Sequence, residues 1–193
     1  MITYACTVSW AMQVLSSSSR QSLMRFARAA LETFVRTGNL PDVDIQDPEL
    51  KQPAGCFVTL WKRNALRGCI GVMAVEKPLA EQMPRMVVSA ASRDPRFQPV
   101  RVEELGDIRM ELSILSSREA ISSYREVEVG WHGISVEWGN RSGVFLPEVA
   151  TEMKWNAETF VKACLVEKAG IPESAWPETK LYRFTTEKIR EQE

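Results

Sequence analysis

Between positions 19 and 35 apolar side chains recur every three to four residues, at Leu23, Phe26, Ala27, Ala30, Leu31, Phe34 and Val35. That spacing forms one stripe and predicts a helix, with serines ahead of it as cap and Gly38 as stop. Three prolines and several acids make residues 39–53 a loop. Residues 56–61 and 66–72 read as two short strands of a hairpin joined by 62–65. Residues 78–92 read as helical, with Pro84 either breaking the helix or opening its second part. Asp94-Pro95 ends it, because the residue before a proline avoids the helical region. Residues 108–115 alternate: Ile108, Met110, Leu112 and Ile114 share one face, Arg109, Glu111 and Ser113 the other. This predicts a half-buried strand with a polar face. A second hairpin is expected from 133–138 and 142–146 across 139–141. A short helix follows at 147–153, then a better one at 156–168, with Asn156 as cap and Gly170 as stop. Residues 180–185 close the pattern as a strand, followed by a charged tail. Helices mixed with antiparallel hairpins define an α+β protein.

Composition narrows the function classes. The 193 residues carry 24 basic and 25 acidic side chains, a net charge of −1 with both signs mixed along the chain. No basic stripe supports a nucleic-acid partner. No apolar run approaches the roughly 18 residues that span a bilayer, so a membrane partner is not expected either. Residues 1–16 are mildly apolar and read as a peripheral extension, without the positive start and cleavage site of a signal peptide. Cys6, Cys56, Cys69 and Cys164 lie far apart without a CxxC pair, so neither zinc binding nor a disulfide framework is expected. A cytoplasmic protein with free thiols is the natural reading. With one histidine and no carboxylate–histidine spacing, no metal site is expected.

The chemistry concentrates in Leu66-Arg67-Gly68-Cys69-Ile70-Gly71. In a regular strand Arg67 and Cys69 share a face, and a guanidinium beside a sulfur favours the nucleophilic thiolate. Gly68 and Gly71 mark a place where a ligand or another backbone comes close. His132 is the only imidazole in the chain and so the only histidine base available to Cys69. Glu111, on the polar face of its strand, is a candidate to orient His132 or to pair with Arg67 or Arg96. Arg96 is placed to bind an anionic ligand or to tie down its Asp-Pro-Arg-Phe turn. Two readings follow. One is a small-molecule enzyme with Cys69 as nucleophile, His132 as base, Glu111 as orienting group and Arg67 as thiolate or substrate partner. The other is a non-catalytic domain binding a ligand or a protein, with Arg67, Arg96 and Glu111 as recognition groups.

Four stretches occur in an informative order. They are Phe57-Val58-Thr59-Leu60 leading into the LRGCIG hexapeptide; Asp94-Pro95-Arg96-Phe97; Glu111-Leu112-Ser113-Ile114-Leu115; and Leu146-Pro147-Glu148-Val149-Ala150, which runs on to Trp155, Phe160 and Lys168-Ala169-Gly170. With His132-Gly133 they resemble the AMMECR-one domain family over residues 17–189. The resemblance implies a two-lobed α+β domain with a cleft between the lobes, and a family without an assigned reaction. Bacterial and archaeal members stand beside or fused to Memo-type proteins and near radical-SAM enzymes, which implies a Memo-type protein as a possible partner.

Overall fold

The computed structural model describes residues 14–41, 45–73 and 76–191. Cys6 and most of the expected N-terminal extension lie outside them. Helix α1 spans Ser17–Thr37; Ser16 caps it by accepting the Ser19 amide, and Gly38 ends it in the left-handed conformation. Strands β1 (Gly55–Lys62) and β2 (Ala65–Val72) form the expected hairpin. Its turn places Arg63 and Asn64 at φ 49° and 66°, the backbone a two-residue hairpin loop requires. Helix α2 (Leu79–Ser92) runs unbroken through Pro84, which neither breaks it nor opens a separate second part as expected. Its first amides are satisfied instead by loop carbonyls, Leu79 by Gln52 and Ala80 by Leu50.

Strand β3 (Ile108–Leu115) crosses to β4 (Glu119–Ile121), and β5 (Gly133–Trp138) pairs with β6 (Arg141–Phe145). Helices α3 (Pro147–Glu152) and α4 (Ala157–Ala163) follow. The single helix expected over 156–168 is divided: α4 passes into a π turn at Cys164–Lys168. Strand β7 (Lys180–Phe184) is succeeded by β8 (Thr186–Arg190), where a charged tail was expected. β8 pairs with β3, and its odd and even positions face different surroundings, so its charges belong to an ordered strand.

Two four-stranded antiparallel sheets result, in the orders β2-β1-β3-β8 and β4-β7-β5-β6. Each has its own apolar core. The first packs α1 and α2 against Val58, Leu60, Met110 and Leu112. The second surrounds Phe160 with Ile134, Val136, Val161 and Leu165. The second lobe, residues 118–184, is therefore inserted between β3 and β8 of the first. The face of β3 expected to be merely polar is also buried: Glu111 is 8% exposed and Ser113 1%. That face points away from the helices, into the cleft between lobes.

Candidate functional site

The hairpin register builds the site. Cys69 on β2 is the Cα partner of Thr59 on β1, Thr59 of Glu111 on β3, and Glu111 of Arg190 on β8. Cross-strand partners share a face, so one transverse row carries a thiol, a hydroxyl, a carboxylate and a guanidinium. The Thr59 hydroxyl donates to Cys69 Sγ at 3.4 Å. Glu111 accepts from Lys188 Nζ at 3.0 Å and from Arg190 Nε at 2.7 Å. Burial pushes the Glu111 carboxyl up, but Arg190 and Lys188 outweigh it and hold it below its ordinary value. Lys188 also donates to Glu148 of α3, in the other lobe, at 2.8 Å. Burial works against the Lys188 charge, and the two carboxylates more than restore it.

Strand β2 lies at the sheet edge, where outward backbone groups have no neighbouring strand. Asp94 fills that place at Cys69 by accepting its amide at 2.8 Å. Arg96 donates to the same carboxylate through Nε at 2.9 Å and Nη2 at 2.7 Å. This pair, helped by the two backbone amides, holds Asp94 far below the usual carboxylate range. Arg96 is held above its ordinary value chiefly by Asp94, with Cys69 a smaller contributor. The Asp-Pro-Arg-Phe turn is thus fastened to the strand beside the thiol.

Arg67 serves a different group. The register shifts between Leu60 and Trp61, so Arg67 is the unmatched bulge residue between Leu66 and Gly68. Its Nε and Nη2 donate to the two oxygens of Glu104, both at 3.0 Å. Arg67, with Lys62 also bonded to it, lowers the Glu104 carboxyl to about 2. The space beside both glycines is filled by protein. A Cβ on Gly68 would stand 2.2 Å from the Ala90 carbonyl oxygen of α2, and one on Gly71 2.2 Å from the Phe57 ring.

His132 lies at the start of β5 in the second lobe. Its Nδ1 accepts the Glu128 amide at 2.9 Å, and burial followed by Arg183 lowers its pKa. Its recorded partners and those of Cys69 are on different lobes. Glu111 pairs with Lys188 and Arg190, in place of the expected Arg67, Arg96 or His132. Cys56 and Cys164 are buried, and burial pushes both thiols up to about 12; Cys69 is partly exposed. Where the lobes meet, a cavity of about 420 Å³ is lined by Met73 and Glu76 on one side and Arg118, Ser135, Glu137 and Ser142 on the other. Among the described residues, no group of three or more His, Cys, Asp or Glu is placed to hold a metal ion, and no helix is long and apolar enough to cross a membrane.

Thr59, Asp94, Glu104, Glu148, Lys188 and Arg190 are the site neighbours that sequence reasoning missed. A hairpin count from Arg63-Asn64 comes within one residue of pairing Thr59 with Cys69; no local signal links Lys188 to Glu148, 40 positions apart.

Fold and site together define a two-lobed α+β domain with a thiol-bearing polar face turned into its cleft. The chain belongs to the AMMECR1 family, whose model matches residues 24–189. It is 42% identical to a protein of Thermococcus gammatolerans, covering 88% of this chain and 89% of that one. With a protein of Methanothermobacter thermautotrophicus it shares 41% identity over 92% of this chain and 96% of the relative. The crystal structure of an uncharacterised protein from Pyrococcus horikoshii superimposes with a TM-score of 0.85 at 36% identity, covering 92% of this chain and 94% of that one.

Proposed function

We propose that this AMMECR1 domain binds a small polar molecule in its cleft, on the sheet face that carries Cys69, Thr59 and Glu111. One observation carries this reading: a central sheet face is built from buried polar side chains in one register row. Burying polar groups costs free energy unless each finds a partner, and an apolar face would have served packing alone. The pairing of Arg67 with Glu104, Arg96 with Asp94 and Glu111 with Lys188 and Arg190 supports recognition by a preset polar surface. Exposing the full chain to fractionated metabolite extracts and following its melting temperature tests this. A fraction that raises the melting temperature of the wild type but not of Thr59→Val or Glu111→Gln is the expected result. Equal shifts in all three proteins, or none, reject the reading.

A second reading, with Cys69 as nucleophile of a group-transfer enzyme and His132 as its base, is favoured by one observation. Among the described residues Cys69 is the partly exposed thiol, and its sulfur already accepts a hydroxyl donor. Iodoacetamide labelling of Cys69 across pH 5 to 10 separates the two. A midpoint well below the free-thiol value of about 8.5, rising in His132→Ala, favours the enzyme. A midpoint near the free-thiol value in both proteins favours binding.

A further inference from the structure

We propose that the second lobe is a hinged cover over the Cys69 face, and that the Glu148–Lys188 ion pair is the latch holding it closed. This rests on the cleft-ligand reading, because a molecule reaching Thr59 and Glu111 has to pass the lobe that carries Glu148.

Four observations carry it. The lobes have separate cores, and every pair of elements in extensive contact lies within one lobe. Rotation of one lobe against the other therefore leaves both apolar cores intact. Among the described residues the chain crosses between them at two places, residues 116–117 and Thr185. These crossings are bonded to each other, Ser116 N–H to Thr185 O at 3.0 Å and Thr185 N–H to Ser116 Oγ at 2.9 Å. Two adjacent crossings make one narrow ribbon, the form of a hinge whose few residues absorb the backbone change.

The latch is asymmetric in a useful way. Lys188 belongs to β8 and is held from its own sheet by Glu111, its diagonal neighbour across the ladder. Glu148 reaches it from α3 of the inserted lobe, and both members keep roughly a quarter to a third of their side-chain exposure. When Glu148 leaves, Lys188 keeps one carboxylate and stays in place, so opening strands no buried charge. A partly exposed pair of this kind contributes only weakly. That is enough to bias two states of a mobile lobe but not to lock them.

Thiol labelling of the full chain reads the cover without any ligand. Iodoacetamide rates are followed by mass spectrometry at Cys69, and at a second probe introduced by Ser113→Cys, a position 1% exposed on the covered face. The buried Cys56 and Cys164 report general unfolding in the same sample. Glu148→Gln removes the latch charge while keeping the side chain's size. We expect the Ser113→Cys probe to react several-fold to tenfold faster in this variant, with the partly exposed Cys69 gaining less and Cys56 and Cys164 unchanged. Lys188→Arg, which retains donors for both carboxylates, should stay near the wild-type rate. An unchanged rate at the Ser113→Cys probe overturns the proposal; so does parallel acceleration of Cys56 and Cys164, which would make the pair part of the general fold. Comparing the Ser113→Cys chain at about 0.1 and 1 M salt, where the screening length falls from about 10 to 3 Å, repeats the test without a latch variant. A rate that does not rise with salt counts against the latch. Failure here leaves the metabolite reading intact, since no ligand enters the assay.

Discussion

The two lobes bury comparable sheets by opposite means. In the first, one sheet face packs on α1 and α2 while the other is polar, and its charges are matched pair by pair across the strands. In the second, aromatic rings fill the interior: Phe145 stacks with Phe160 at 5.9 Å, and Trp155 and Trp176 pack at the margin. Candidate chemistry accordingly sits on the first lobe, where the polar face is, and the second supplies cover and one carboxylate. The contrast shows that strand count and sheet type say little about which lobe carries a site. What separates them is what each one buries: the first lobe buries the Glu111 carboxylate against Lys188 and Arg190, whereas the second fills its interior with rings and leaves Glu119, paired with Arg183, exposed.

The largest effect that tests this contrast is Phe160→Ala. Removing a fully buried ring should cost about 3–5 kcal/mol, and with separate cores the loss should stay in the second lobe. Amide exchange should accelerate over 133–138 and 157–165 but not over 56–60; equal acceleration in both would merge the two cores into one cooperative unit. Gly68→Ala comes next and strikes the first lobe alone. Its Cβ would press on the Ala90 carbonyl oxygen at 2.2 Å, and displacing α2 should cost about 3 kcal/mol, read as a lowered denaturant midpoint with α2 exchanging faster.

The smallest effect depends on pH. Glu104 and Asp94 both have folded pKa values below their unfolded ones, Glu104 at about 2. Their stabilisation is therefore complete above the ordinary carboxylate pKa of about 4 and is lost as pH falls through the folded values. Acid should loosen the first lobe before the second. Glu104→Gln should flatten the stability profile of the first lobe below pH 4.5 while lowering its stability at pH 7. An unaltered acid profile would show that the Arg67–Glu104 pair contributes nothing to folding.

Much of this architecture was legible because its signals are local. Ser16 and Gly38 bracket α1, Asn156 caps α4, and the 56–72 hairpin announces itself by its strand residues. What escaped depends on distance. Thr186–Arg190 looked like a charged tail because Glu187, Lys188 and Arg190 are solvated in most chains; here Arg20, Glu111 and Glu148 wait for them. Cys69 stood out as a thiol between glycines, but its neighbours were fixed by a bulge. Counting back from Arg63-Asn64 in a regular ladder pairs Thr59 with Gly68. The extra residue at Arg67 moves the register by one and brings Thr59 opposite Cys69. The same bulge sends the Arg67 guanidinium to Glu104, so the regular-strand argument for Arg67 beside the thiol had no regular strand to act on. His132 and Cys69 were joined only by their scarcity, which carries no distance.

The insertion of the second lobe has a consequence for the protein's modularity. Leu115 and Thr186 are direct partners at the end of the β3–β8 ladder, so the chain leaves the first sheet and returns to it at neighbouring points. A tight two-residue turn joining them would excise the whole inserted lobe without altering a single pairing of the first sheet. What remains would be a minimal domain of two helices and four strands, its polar face open to solvent, with the same seam free to receive a different lobe.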